Sequence, residues 1–126
     1  MTAGLATALL MVGVGNSARL AIRDWRENLY AETVAFITRN AQPKALVMGS
    51  SEFFFALGAE RVIDDIWLGF YSGIRPDVIV TGPPRVGRTP AEYAYLKPEV
   101  ARHVRGCLGR DFHLAYSNRD YRVYLP

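Results

Sequence analysis

Helical spacing is clearest in the segment before the first proline. Four positions there follow the i, i+3, i+4, i+7 spacing of one helical face: Tyr30, Thr33, Val34 and Ile37. That spacing is typical of an amphipathic α-helix that packs one side on a core. Asn40 and Pro43 are residues that end helices. The pattern predicts a helix over residues 27–40.

Two short apolar runs, at residues 45–48 and 77–81, predict strands. Residues 61–64 offer a further short strand between them, and turn or loop residues separate all three. Runs without polar alternation are typical of strands buried on both faces, as in a parallel sheet.

A second helix is predicted directly after the first strand, over residues 52–57. Ser50 or Ser51 is placed to cap it, Glu52 favours its positive N-terminus, and Gly58 ends it.

A capping box predicts a third helical region. Thr89, Pro90 and Glu92 stand at the N-cap, N1 and N3 positions, where each satisfies or tolerates an unpaired backbone N–H. Because Pro98 interrupts a helix, we expect either two short helices at 90–96 and 98–105 or one kinked helix. Gly106 is expected to end this region.

The C-terminal residues alternate with period two, which predicts a β-hairpin. Polar turn residues at 117–120 separate the two strands. One predicted face carries Phe112, Leu114 and Tyr116, and the second strand presents Tyr121, Val123 and Leu125.

The order of these elements predicts an α/β fold. Helices alternating with apolar strands favour a small three-layer-like sandwich, with parallel central strands, a C-terminal β-hairpin and an N-terminal apolar helix.

The first residues of the chain differ from the rest in charge and hydrophobicity. Residues 1–18 carry no charge and 5–14 are nearly all apolar, while Arg19, Arg23 and Trp25 follow. Three interpretations stay open: the end of the last membrane span of a longer protein, a signal-anchor, or a soluble core helix. The missing basic n-region favours the first. We therefore expect a juxtamembrane helix over 1–26 and a soluble domain over 27–126.

The amino-acid composition excludes several kinds of functional site. A single cysteine and two histidines exclude a disulfide framework and a multi-cysteine zinc site, and we expect no metal or cofactor. The net charge of +3 is uneven: residues 85–126 hold 8 basic and 4 acidic side chains, whereas 1–84 hold 7 and 8. Such a basic tail is able to meet phosphates or anionic lipid. No nucleic-acid-binding motif accompanies it, so nucleic acid is not an expected partner.

The first candidate binding residues are Ser50, Ser51 and Glu52. They follow a predicted parallel strand, and ligands bind at the carboxyl ends of such strands. No phosphate-loop or nucleophile-elbow pattern is present. Helix capping by the serines explains the same residues.

Further candidates flank the loop after the second strand. Asp64 and Asp65 are potential cation ligands, but neighbouring strand residues point to opposite faces. A turn that ends the strand, with Asp65 as its cap, is therefore favoured. Tyr71 and Arg75 flank the loop. Arg75 is able to bind a carboxylate or a phosphate through two hydrogen bonds, and pairing with Asp64, Asp65 or Asp77 is the favoured interpretation.

The histidines and the cysteine are weaker candidates. His113 is expected to be exposed on its strand. His103 and Cys107 are four residues apart, but two ligands are too few for a stable metal site. Cys107 is expected to fill space in the core.

Several segments together resemble a known family. They read ALVMGSSEF (45–53), DD (64–65), LGFYSG (68–73), RPDVIV (75–80), FHLAY (112–116) and DYRVY (120–124). This arrangement resembles the soluble C-terminal region of GT-C type membrane glycosyltransferases, such as the dolichyl-phosphate-mannose-protein mannosyltransferase-like enzymes.

The resemblance implies a lipid-phosphate-linked sugar donor and an extracytoplasmic domain beside the membrane part of the parent enzyme. It places the catalytic acid in that membrane part, so no catalytic residue is assigned here. The arginines after the apolar run favour the cytoplasmic side instead. Two alternatives stay open: a small hydrolase or transferase using Ser50 or Ser51 with Asp64 or Asp77, and a ligand-binding module.

Overall fold

The computed structural model describes residues 28–82 and 97–126. The first helix, α1, occupies residues 28–40. The remaining elements are strand β1 (Val47–Met48), a 3-10 turn (Ser51–Phe53), helix α2 (Phe54–Leu57), strands β2 (Val62–Ile63) and β3 (Val78–Thr81), helix α3 (Pro98–Gly106), a π-helical turn (Cys107–Asp111), and strands β4 (His113–Ser117) and β5 (Arg122–Leu125).

The five strands form one mixed sheet in the order β2-β1-β3-β5-β4. Strand β1 lies parallel to both β2 and β3. Strand β5 runs antiparallel to β3, and β4 closes the edge as the other arm of the hairpin. The α/β fold, the parallel strands and the C-terminal hairpin are therefore confirmed. The expected N-terminal apolar helix over 1–26 lies outside the described residues.

One face of the sheet packs against α1 and α2. Val47, Val78 and Val80 point to this side and meet Ile37 of α1 and Leu57 of α2 in one buried cluster. The helix predicted at 27–40 is confirmed over 28–40, and Ile37 is completely buried as its spacing predicts.

The opposite face packs against α3 and the loop after β2. Met48 and Ile79 point to this side, where they meet Val100 and Val104 of α3 and Leu68 of the loop. Because Val47 and Met48 are adjacent in one strand, they serve opposite cores, as a strand buried on both faces requires.

The predicted common face of Phe112, Leu114 and Tyr116 is wrong. The pairing of β4 with β5 shifts between Leu114 and Tyr116. One extra residue in a strand reverses which side the following side chains face. Leu114 is therefore opposite Tyr124, while Tyr116 is opposite Val123 and stacks on Phe36 of α1 at 4.7 Å.

Helix α3 starts at Pro98 and ends at Gly106, as predicted, but Gly106 does not break the helical path of the chain. Gly106 keeps helical angles, with φ −62° and ψ −46°, and the chain continues into the π-helical turn. The helix predicted at 90–96 and its capping box at 89–92 lie outside the described residues. Within 28–82 and 97–126, no helix is both long enough and apolar enough to cross a bilayer.

Candidate functional site

The carboxyl ends of the neighbouring parallel strands β1 and β3 mark the point where the chain changes from one face of the sheet to the other. After β1 the chain enters the 3-10 turn and α2 on one face, whereas the next described element after β3 is α3 on the other face. Open α/β sheets bind ligands at such a reversal. Gly49 lies there, and a Cβ on it would stand 3.1 Å from the carbonyl oxygen of Val80. Because glycine has no side chain, the chain at the end of β1 can lie this close to β3.

Ser50 occupies the predicted N-cap position after β1 with an extended backbone, but neither serine side chain forms a cap. The predicted side-chain cap is therefore wrong. The N–H of Phe53 donates to the backbone carbonyl of Ser50 at 3.1 Å, and the N–H of Ser51 donates to Asp64 Oδ2 at 3.3 Å. Gly58 ends α2 with φ +94°, as predicted.

Glu52 contributes to the face that packs against α1. Its backbone carbonyl accepts a hydrogen bond from the Tyr30 hydroxyl at 2.9 Å. Burial raises the pKa of Tyr121 above its ordinary value, and the neighbouring carboxylate of Glu52 raises it further. The same two causes raise the pKa of Tyr30.

Asp64 and Asp65 serve different parts of the chain. Asp64 faces the 3-10 turn, whereas Asp65 folds back on its own loop. No three Asp, Glu, His or Cys side chains within the described ranges are grouped so that they could hold a metal ion.

Asp65 organises the loop of residues 65–75, which we call the aromatic loop. Its carboxylate accepts hydrogen bonds from the backbone N–H groups of Trp67 at 2.8 Å and Gly69 at 3.0 Å. The hydroxyl of Ser72 donates to it at 3.1 Å and accepts from the N–H of Ile74 at 3.3 Å. The prediction that Asp65 caps a turn is confirmed. These bonds tie both halves of the loop to one carboxylate.

The aromatic loop packs Leu68 and Phe70 against the core and turns four other apolar side chains outward. Ile66 is 61% exposed and Tyr71 59%, while Trp67 and Ile74 are each 39% exposed. The Trp67 and Tyr71 rings meet edge to face at 5.3 Å. Sequence reasoning singled out Tyr71 alone, since apolar residues are ordinarily read as buried. The available signal was the absence of any charge between Asp65 and Arg75.

His103 anchors this loop to α3. Its Nε2 lies 2.8 Å from the carbonyl oxygen of Leu68, and its ring lies 5.5 Å from Phe70. Leu68 takes a positive φ of 49° at this contact. The sequence interpretation missed this role because the partner is a backbone atom 35 residues away.

Cys107 lies beside His103 on a continuous helix, with Sγ 3.5 Å from Nε2. The expected break at Gly106 between them is therefore wrong. Burial, followed by the Asp111 carboxylate, raises the pKa of the Cys107 thiol, so the neutral thiol is favoured. Cys107 packs on the α3-side core. His113 is exposed, as predicted.

The predicted ion pairs of Arg75 are not formed. Asp64 and Asp65 accept the backbone bonds described above, and Asp77 Oδ2 accepts the N–H of Leu46 at 2.8 Å. Each of these carboxylates is therefore occupied by a backbone N–H group. Arg75 is exposed and lies close enough to Asp111 to help lower the pKa of that carboxyl, after the larger effect of its hydrogen bond with Arg110.

No protein-family model, curated protein or solved structure matches the chain.

Proposed function

We propose that residues 27–126 form the water-facing accessory domain of a membrane glycosyltransferase that uses a lipid-phosphate-linked sugar. In this proposal residues 1–26 are the end of its last membrane span, and the domain lies on the extracytoplasmic side. The domain shapes the approach of donor or acceptor, and the membrane part performs the sugar transfer.

The observation that carries the proposal is the spatial arrangement of the resembling segments. They are scattered over 80 residues of sequence, yet they contribute the adjacent strands β1, β3, β5 and β4. Residues 64–65 and 68–73 belong to the loop that covers the same sheet. Segments that resemble one domain of a family should lie in one structural unit, and these segments do.

The hydrogen bonding of the site favours a structural role for its acidic and imidazole groups. A serine nucleophile needs a base within hydrogen-bond reach. In the described ranges the nearby carboxylates of Asp64, Asp65 and Asp77 each accept backbone N–H groups. The imidazole of His103 is bonded to Leu68 on the α3 side of the sheet. Each group stabilises a loop or a strand end.

The gene supplies the first experiment. Read upstream of Met1, the open reading frame is expected to encode several hydrophobic spans. An in-frame stop codon immediately before Met1 would contradict the proposal.

A transfer assay supplies the second experiment. Membranes carrying the full-length protein should transfer sugar from a polyprenyl-phosphate donor, whereas the chain of 126 residues should not do so in detergent-free buffer. Turnover by the isolated chain that disappears in a Ser50→Ala, Ser51→Ala variant would instead favour a small hydrolase or transferase.

A further inference from the structure

The aromatic loop combines exposed apolar side chains with a hydrogen-bonded backbone. Its exposed side chains are large and apolar, yet its backbone is tightly held. The N–H of Gly73 donates to the carbonyl of Gly69 at 2.8 Å, and that of Phe70 donates to Trp67 at 3.1 Å, in addition to the bonds to Asp65. An exposed apolar patch on a held backbone is typical of an interaction surface.

The charge pattern of the loop indicates the kind of surface it meets. Residues 66–74 carry no charge. The one acid, Asp65, points inward to the loop's own N–H groups. Arg75, at the end of the loop, is exposed. Asp111, the carboxylate it approaches, is engaged by Arg110 at 2.9 Å. A cation therefore borders an uncharged apolar patch, which complements a layer of lipid phosphates above acyl chains.

The residue types in the aromatic loop also fit the surface of a lipid bilayer. Trp and Tyr are enriched at the membrane–water interface because their rings are apolar with one polar end. Trp67 and Tyr71 supply such rings, and the exposed side chains of Ile66 and Ile74 supply aliphatic surface in the same loop.

We infer that the aromatic loop docks this domain onto the phospholipid bilayer surface, with Trp67, Tyr71, Ile66 and Ile74 at the headgroup–acyl boundary and Arg75 at the phosphates. The inference goes beyond the proposed function, since it stands on the contacts of the loop and holds for any parent protein.

Trp67 provides a local test in the full chain. The sequence has two tryptophans, so Trp25→Phe leaves Trp67 as the sole emitter. In vesicles of phosphatidylcholine and phosphatidylglycerol we expect a blue shift of its emission and protection from acrylamide. Interfacial elements insert about 5–10 Å, so bromine atoms near the headgroup end of the acyl chains should quench Trp67 more than bromine atoms near the chain ends.

Phe55 offers a matched control reporter. It is 96% exposed, and its helix α2 lies on the opposite face of the sheet. In a Trp25→Phe, Trp67→Phe background, Phe55→Trp should keep its emission and stay open to acrylamide. A response of the residue-55 reporter without a response of Trp67 would overturn the inference.

A second variant separates surface chemistry from folding. Ile66→Ser with Ile74→Ser removes exposed aliphatic surface and should weaken the quenching of Trp67 by brominated lipid severalfold. Leu114→Ser, which removes a 51% exposed side chain on edge strand β4, should leave that quenching unchanged.

Trp67 emission that does not change with protein-free vesicles would overturn the inference. A response confined to membranes containing the parent enzyme would do so too, because the partner would then be protein. If the aromatic loop responds to lipid but the gene encodes no membrane spans upstream, the inference about the loop holds. That outcome contradicts the proposed function alone.

Discussion

A single carboxylate, that of Asp65, decides how eleven residues of irregular chain are arranged. It accepts two backbone N–H groups and one hydroxyl, and hydrogen bonds to an ionised acceptor are about twice as strong as neutral ones. The sequence shows Asp before a loop with glycines, which predicts a capped turn. It does not show that the far end of the loop, through Ser72, returns to the same side chain.

Asp65→Asn tests this role. An amide presents one acceptor oxygen without charge, so the N–H groups of Trp67 and Gly69 are no longer both well satisfied. We expect a loss of about 1–3 kcal/mol in the free energy of unfolding and faster hydrogen exchange at those amides, measured by urea titration and NMR. Asp64→Asn, which affects one 3.3 Å bond, should change stability by less than half as much. Equal losses in both variants would contradict this assignment.

Tyr121 gives the chain a dependence on alkaline pH. Burial first, and then Glu52, raise its pKa above the ordinary value of 10.0. Below pH 10.0 the hydroxyl is protonated in both states and the stabilisation is fully present. Above it the unfolded chain loses the proton first, so the unfolded state is favoured and stability falls as pH rises.

Tyr121→Phe should therefore make the urea midpoint fall less steeply above pH 10.0. The pKa of Tyr30 is also raised, so Tyr30 should account for part of the remaining fall in the midpoint. Tyr71→Phe removes the hydroxyl of a 59% exposed ring and is the control, with the profile of the unmodified chain. Parallel profiles for the unmodified chain and Tyr121→Phe would sink this prediction.

Among the elements, the aromatic loop depends on glycine at two positions for different reasons. Gly69 has φ +83°, and a Cβ there would collide with the carbonyl oxygen of Ile74. Gly73 has φ +70°, with nothing within 4 Å of a Cβ. The first position combines strain with a backbone clash, and the second has strain alone.

Alanine substitutions separate these two effects. Gly73→Ala should lower the free energy of unfolding by about 1–2 kcal/mol, the ordinary cost of a left-handed residue. Gly69→Ala should lose more than twice that, because the loop must also open around Ile74. Thermal and urea unfolding measure both variants. A larger loss in Gly73→Ala would show that the loop closes differently.

The strands and helices differ in how far their sequence predicts them. The runs around β1 and β3 are apolar without alternation because both faces are buried, so their parallel setting could be inferred. The bulge in β4 could not be inferred from the sequence. Ala115 and the residues beside it are compatible with either side of the sheet, so the pattern does not show where the pairing shifts. The capping role of Asp64 also escaped, since it joins elements 13 residues apart. The outward side chains of the aromatic loop escaped because apolar residues are by default assigned to a core.

For the whole molecule, the decisive feature is that two cores share one thin sheet. Strand β1 has only two residues, and each belongs to a different core. Neither helical layer can be removed without exposing strands that the other layer needs. The order of elements was sufficient to predict this layered arrangement. The contact of Asp64 with the 3-10 turn and that of His103 with the aromatic loop join residues 13 and 35 positions apart, so no local pattern reveals them.

Shared strands predict one cooperative unfolding transition. Ile37 on the α1 side and Ile79 on the α3 side are both fully buried, and truncating either to alanine should lose about 2–5 kcal/mol. In a Trp25→Phe background, Trp67 fluorescence reports the α3 side and far-UV circular dichroism reports all elements. Because the cores are coupled through the sheet, Ile37→Ala should lower the urea midpoint of both signals together.

Ile79→Ala is the matched variant on the reporter's own side and should do the same. A Trp67 transition that Ile37→Ala leaves in place, while the circular dichroism transition moves, would mean that the two layers unfold independently.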